Sequence, residues 1–251
     1  MTTEVSNFEG AVLENLRDFG GLPIRSGVIH SRVLYRSDDI ALTTRTQMDC
    51  LIADGLNDII DLRSVEELNR IGRGPAALTT ARHHHVPLSA DDCSAAALAR
   101  MLTGITGPDS VGKWYAAQFL AYVPSLVHAI EIIAHSPGGV LFHCSFGKDR
   151  TGLLAMALLG SLGASKETIV TDYCASGDRI ARVVERLSRL DPVTARDVAI
   201  YAKHPLMDAT PKAAWAFLES VEQHGGIEGI LRQGGLSPYV LNKLAVKVTA
   251  S

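Results

Sequence analysis

The segment that most constrains this chain runs from Val140 to Leu162. Val140-Leu141-Phe142 is a short apolar run, and the ten residues His143-Cys144-Ser145-Phe146-Gly147-Lys148-Asp149-Arg150-Thr151-Gly152 after it are mostly polar, with two glycines. Leu153 to Leu162 is then apolar nearly all round. An apolar run of strand length, a tight turn and a helix that is hydrophobic on every side describe a strand-turn-helix unit buried in the middle of a domain. Pro137-Gly138-Gly139 ends whatever helix precedes it. A second unit of the same kind begins at Asn57-Asp58-Ile59-Ile60-Asp61-Leu62, where Ser64 and Glu67 have the capping-box spacing that starts a helix. Repeated strand-turn-helix units predict an α/β fold whose central sheet is mostly parallel and flanked by helices on both faces.

Between the two units, Tyr115 to His135 places Phe119, Tyr122, Val123, Leu126, Val127, Ile130 and Ile133 on one stripe and predicts a single helix. The stretch from Thr168 onward predicts a helical C-terminal third, with Gly225-Gly226 and Gly234-Gly235 as stops and Ser237-Pro238 as an N-cap followed by an N1 proline. Ala90 to Ser110, rich in small residues and containing Gly104, Gly107 and Pro108, predicts a flexible or partly helical excursion rather than core. No repeat, low-complexity tract or long linker interrupts the chain. Residues 1–251 therefore read as one domain with a lid or flexible excursion at 90–115.

Composition removes several function classes. Lys and Arg number 24 against 27 Asp and Glu, a net charge of −3, so the bulk cationic footprint of a nucleic-acid binder is missing and any anion must be held locally. The cysteines Cys50, Cys93, Cys144 and Cys174 form no CxxC pair, which argues for a reducing compartment over a disulfide framework or zinc spacing. The opening MTTEVSNFEG lacks the order of a secretory signal, and the charge-free run Thr151 to Ser165 is short for a membrane span. The expectation is a cytoplasmic chain with no transmembrane segment; export without a signal peptide stays open, and oligomeric state is not addressed.

The chemistry sits in the loop, whose frame is Cys-x5-Arg. Five residues between Cys144 and Arg150 let the backbone curl into a bowl with its N–H groups inward, and the following helix adds its positive dipole end. Such a bowl fits a phosphate, with Ser145, Phe146, Gly147, Lys148 and Thr151 as its binding residues. Arg150 can fork two N–H groups onto phosphoryl oxygens, which Lys cannot do. The same field favours a thiolate, making Cys144 the nucleophile, and Thr151 can donate its hydroxyl to that sulfur. The predicted reaction is attack of Cys144 on a phosphomonoester, release of the alcohol, and hydrolysis of a phosphocysteine intermediate. Neither metal nor cofactor is required. A Walker-type nucleotide loop is excluded, because Asp149 stands where a magnesium-binding Ser or Thr belongs and Phe142 where the first glycine belongs. A rhodanese-like sulfurtransferase would have no need of Lys148, Asp149 and Thr151 together.

At these residues the sequence resembles the cysteine-dependent protein tyrosine phosphatase superfamily, and within it the bacterial tyrosine/serine phosphatases of the mycobacterial type. The resemblance extends to Asn15-Leu16-Arg17-Asp18-Phe19-Gly20-Gly21, Leu34-Tyr35-Arg36-Ser37, Ile60-Asp61-Leu62-Arg63-Ser64, Asp172-Tyr173 and Gly235-Leu236-Ser237, nearly the whole chain. It implies a phosphatase for phosphotyrosine and also phosphoserine or phosphothreonine. A phosphoinositide phosphatase is an alternative, and a silent phosphate-binding module a more distant one. The partner is then a phosphorylated protein or a phosphoinositide. Lys148 either contacts a second phosphate on an inositol ring or enlarges the field at Cys144. For the general acid, Asp149 stands against Asp91 or Asp92 on the segment after Val86-Pro87-Leu88; in relatives an aspartate lies close by, where this chain has Ala90. By the same resemblance, Arg17 and Asp18 pack near the loop and brace it.

Other residues keep two readings. Arg63 ends a strand, where it either borders the pocket or pairs on the surface with Glu66 or Glu67. His143 reads as a hydrogen-bond donor to loop carbonyls that positions the Cys144 backbone, not as a base. His83-His84-His85 reads as strand, because successive strand side chains point to opposite faces and three in a row cannot all chelate. Arg179, Arg182, Arg186 and Arg189 read as one solvated basic helix face, with docking to anionic headgroups as its sharper alternative.

Overall fold

The computed structural model describes residues 12–89, 102–192, 195–196 and 203–249. Its strands are β1 (Arg17–Asp18), β2 (Pro23–Ile24), β3 (Gly27–Val28), β4 (Leu34–Ser37), β5 (Leu56–Asp61), β6 (Arg82–His85) and β7 (Gly139–His143). A five-stranded sheet has the order β1-β4-β7-β5-β6, and β2 and β3 form a separate hairpin. β1 is antiparallel to β4; β4, β7, β5 and β6 are all parallel. The mostly parallel sheet expected from the strand-turn-helix units is therefore present.

Alternation along the strands separates two cores. Tyr35, Leu141 and Ile59 lie side by side in register and face one way. They meet Leu13, Ala76, and Met48 and Leu51 of α1 (Arg45–Ala53). Leu34, Val140, Phe142 and Ile60 face the other way, into the larger core. That core is covered by α3 (Pro108–Ala121), α4 (Val123–His135) and α5 (Asp149–Ser161), with α2 (Val65–Ile71) lying after β5 on the route to β6. The helical C-terminal third follows as α6 (Lys166–Cys174), α7 (Gly177–Leu190), α8 (Pro211–Glu222), α9 (Gly226–Gln233) and α10 (Pro238–Thr249). Ser64 and Glu67 close the capping box at α2 in both directions, at 3.1 and 2.8 Å. Ser237 caps α10 by accepting from Val240 N at 3.2 Å. Among the described residues, no single helix is long and apolar enough to cross a membrane.

One expectation is corrected. The single helix over 115–135 is two, α3 and α4, which meet at Tyr122 and bend by 73°. Pro124 causes the break: it has no N–H for a continuing helix and its ring crowds the carbonyl one turn back, whereas the first turn of a new helix tolerates it. Residues 90–101 of the excursion lie outside the described set; within 102–110 the chain is partly helical and only Ile105 is buried, and the core resumes at Val111 and Tyr115 of α3. A Cβ on Gly112 of α3 would stand 2.4 Å from the Ala213 carbonyl oxygen of α8, whereas one on Gly104 or Gly107 would meet open space.

The carboxyl ends of the parallel strands line up Ser37, His143, Asp61 and His85 in one row. This is the edge at which open α/β sheets gather ligands.

Candidate active site

The loop from Cys144 to Lys148 leaves β7 at that edge and enters α5 at Asp149. Its outer carbonyls are all engaged. Asp39 N donates to Ser145 O at 3.1 Å; Asn15 Nδ2 donates to Phe146 O at 3.0 Å and to Gly147 O at 3.1 Å; Arg36 Nη2 donates to Gly147 O at 2.8 Å. With three successive carbonyls committed to the outside, the amide N–H groups are left to face an anion. Gly147 is required at the bend: its φ is +67°, and a Cβ there would stand 2.5 Å from Ser37 O.

Cys144 is buried at the base of this cup, and Thr151 Oγ1 donates to its Sγ at 3.1 Å. Arg150 is 20% exposed and forks onto Glu67: Nη2 meets Oε1 at 2.9 Å, and Nη1 makes a short contact to Oε2. Glu67 also accepts from Ser145 Oγ at 2.5 Å and from Ser64 N. Burial works against the Glu67 charge, yet Arg150 and these donors hold its carboxyl well below the usual range. Its charge raises the Arg150 guanidinium in turn, against the opposing effect of burial. Two of the five guanidinium N–H groups are thereby used, and three remain for phosphoryl oxygens.

On the other side of the cup, Lys148 is 1% exposed, with Nζ 2.8 Å from Tyr115 Oη and 2.6 Å from Asp149 Oδ1. Nζ also lies 5.5 Å from the Tyr115 ring centroid and 5.8 Å from that of Tyr173. Burial opposes the ammonium, but Asp149 and Tyr173 keep it above its ordinary value. Phe146 turns its ring to a small cluster of Leu42, Val183 and Leu187.

A buried ionic frame stands behind the cup. Asp172 pairs with Arg36 through a short contact and with Arg17 Nε at 3.0 Å, and Arg17 reaches Asn15 Oδ1 at 2.6 Å. Arg17 therefore acts on the loop through Asn15 and Asp172. Asp18 does not: it accepts from Gly20 N and Arg32 N and fixes a turn. Arg63 is fully buried, with Nη2 2.6 Å from Asp61 Oδ2 and Nη1 3.0 Å from Asp39 Oδ2, so the surface pair with Glu66 or Glu67 is replaced by an internal brace. Arg186 leaves the supposed basic face entirely and pairs at 2.8 Å with buried Asp38. Of that face, Arg182 is neutralised by Glu14 and Arg189 lies 3.8 Å from Glu185.

His143 is buried behind Cys144, and neither ring nitrogen has a hydrogen-bond partner among the described residues; Nε2 lies 3.8 Å from Asp61 Oδ1. The Cys144 backbone favours the charged form of His143. Burial pushes its imidazole down to about 4 despite Asp61. The three histidines form β6 with alternating partners: His84 Nε2 meets Asp58 Oδ1 at 2.7 Å and His85 Nε2 meets Arg63 O at 2.8 Å. Asp91 and Asp92 lie outside the described residues.

The sequence singled out Cys144, Ser145, Gly147, Lys148, Asp149, Arg150 and Thr151, and the fold brings these together. It missed Glu67, whose capping-box spacing explained it too completely, and Tyr115, which looked like one more core aromatic. Asn15, Arg36 and Asp172 were visible only as parts of the resemblance.

Proteins similar to this chain are named as phosphatases. The chain is 26% identical to the triple specificity protein phosphatase PtpB of Mycobacterium tuberculosis, over 92% of this chain and 94% of the relative. It is 29% identical to a tyrosine-protein phosphatase of Nostoc commune, over 89% and 76%. A partial structural likeness, with a TM-score of 0.33 and 18% identity, is found to P. aeruginosa TpbA over 78% of this chain and 99% of that one. The tyrosine phosphatase family model matches residues 8–250, and the chain accordingly belongs to the tyrosine phosphatase family.

Proposed function

We propose that this phosphatase hydrolyses phosphotyrosine esters, and with them phosphoserine and phosphothreonine esters, through a phosphocysteine on Cys144. The observation that carries the residue assignment is the position of Cys144 Sγ at the base of the cup, 3.1 Å from Thr151 Oγ1 and at the N-terminus of α5. Sγ attacks phosphorus, the S–P bond forms and the ester P–O bond breaks. The leaving oxygen takes a proton from the Asp149 carboxyl, which belongs to the residue before Arg150. Arg150 and the loop amides hold the equatorial oxygens as their charge rises. A water then attacks phosphorus and gives its proton to Asp149, the S–P bond breaks, and the Thr151 hydroxyl supports the departing thiolate.

Breadth beyond phosphotyrosine is supported by the mycobacterial relative, which is named for triple specificity. For Lys148, burial beneath Tyr115 and Tyr173 favours the role of a fixed charge near Cys144 over contact with a second phosphate. The nucleophile must stay reduced, which fits residence in the cytoplasm.

Hydrolysis of p-nitrophenyl phosphate tests the reading. Turnover is expected to be vanadate-sensitive, to survive a chelator, and to vanish in Cys144→Ser and Arg150→Ala. Retained turnover in both variants rejects the mechanism. A panel of phosphotyrosine peptide, phosphoserine peptide and phosphoinositide then ranks substrates, and binding without phosphate release would mark a silent module.

A further inference from the structure

We infer that Tyr115 is the positioning residue for the acid, fixing Asp149 so that the proton it delivers is carried on Oδ2. This rests on the assignment of Asp149 as general acid made above. Tyr115 reaches the loop from α3, and its ring is 1% exposed. Its hydroxyl has one proton and three neighbours. Lys148 Nζ, at 2.8 Å, can only donate, and Tyr173 Oη donates from 3.3 Å, so the Tyr115 proton goes to Asp149 Oδ1 through a short hydrogen bond. Lys148 Nζ donates to the same oxygen at 2.6 Å. An oxygen that already accepts from an ammonium and a phenol does not also hold a proton, and no donor among the described residues reaches Oδ2.

The support is rigid. The Tyr115 and Tyr173 rings meet edge to face, with centroids 5.7 Å apart and planes at 81°, and the ammonium lies against both. Burial, followed by the charge of Asp149, raises the Tyr115 phenol well above its ordinary value, so it remains a donor across the working range. Without that hydroxyl, Asp149, which is 29% exposed, would be restrained at Oδ1 by Lys148 alone. The acid would then be present but loosely aimed.

The test compares kcat/KM for phenyl phosphate, whose leaving group needs a proton, with p-nitrophenyl phosphate, whose leaving group scarcely does. Tyr115→Phe is expected to lower the first about tenfold and the second about twofold or less. Loss of a donor to the carboxylate also moves the basic limb of the pH profile upward. Installing 3,5-difluorotyrosine at position 115 preserves shape, strengthens the donor and moves the limb downward, so the inference stays testable if the phenylalanine variant folds poorly. In an Asp149→Asn background, Tyr115→Phe adds no discrimination between the esters. Equal losses on both esters, limb shifts in the same direction for both variants, or a persisting effect in the Asn background would overturn the inference. Should Asp149→Asn alone leave phenyl phosphate turnover intact, the acid assignment itself falls, an outcome distinct from a silent Tyr115→Phe beside an impaired Asp149→Asn.

Discussion

Glu67→Gln isolates the contact that aims Arg150, the arginine proposed to bind phosphate. In the native site four donors converge on two carboxylate oxygens: Arg150 Nη1 and Nη2, Ser145 Oγ and Ser64 N. Glutamine keeps the length and shape but replaces one acceptor oxygen with an NH2 group, so at least one donor in a partly buried site loses its partner. Leaving such a donor unsatisfied costs about 1–3 kcal/mol, and more when it is charged. The Ser145 hydroxyl can rotate away, whereas the planar guanidinium cannot, so the loss falls chiefly on Arg150. At 1.36 kcal/mol per decade, kcat/KM is expected to fall roughly tenfold to a hundredfold. The inhibition constant for vanadate should rise by a similar factor, because inhibitor and transition state draw on the same guanidinium. Glu66→Gln, on the exposed side of α2, is the control and should leave both unchanged. Steady-state kinetics with p-nitrophenyl phosphate, beside urea unfolding, provide the measurement. A folded Glu67→Gln enzyme whose kcat/KM stays within about twofold of the parent would refute the idea that Glu67 aims Arg150.

Two further outcomes follow from the surroundings of the cup. Gly147→Ala would place a methyl group 2.5 Å from Ser37 O at a φ of +67°, so the loop or the end of β4 must move. Urea unfolding should show a loss of about 2–4 kcal/mol, with vanadate binding weakened in parallel, and an unchanged midpoint with native inhibition would contradict the geometry. His143 is held neutral, near 4 against about 6.5 in the unfolded chain, so between these values the unfolded state binds more protons. Its contribution, on the order of 3 kcal/mol, is present above about pH 6.5 and is lost as pH falls toward 4. Buried Asp39, raised to about 6 chiefly by burial, slopes the opposite way over part of this window. The diagnostic is therefore the difference between parent and His143→Gln, and identical pH slopes would reject this account of His143.

Legibility followed the range of the forces involved. The strand-turn-helix units, the capping box at Ser64 and Glu67, and the cup from Cys144 to Thr151 are all written within a dozen neighbouring residues, and the fold realises them. The readings that failed needed a distant partner. Arg63 and Arg186 look like surface cations because their sequence neighbours offer acids or solvent; Arg186 instead pairs with Asp38 and Arg63 with Asp39, both just after β4, while Arg63 also pairs with Asp61 two positions before it. The break at Tyr122 could have been read locally, since Pro124 lies in plain view, but the apolar stripe continues through it and concealed the boundary.

The sequence by itself determined a Cys-x5-Arg turn from Cys144 to Arg150 with a glycine bend between them, because a turn of this length and the helix dipole behind it are local properties of the backbone. Only the tertiary structure decided what holds those groups. Glu67 on Arg150, Tyr115 and Lys148 on Asp149, and Asn15 and Arg36 on the loop carbonyls all come from other elements, apart from Lys148. Electrostatic and hydrogen-bond partners act over a few ångströms of space whatever the chain distance between them, and the crossovers of a parallel sheet bring residues more than a hundred positions apart to one edge.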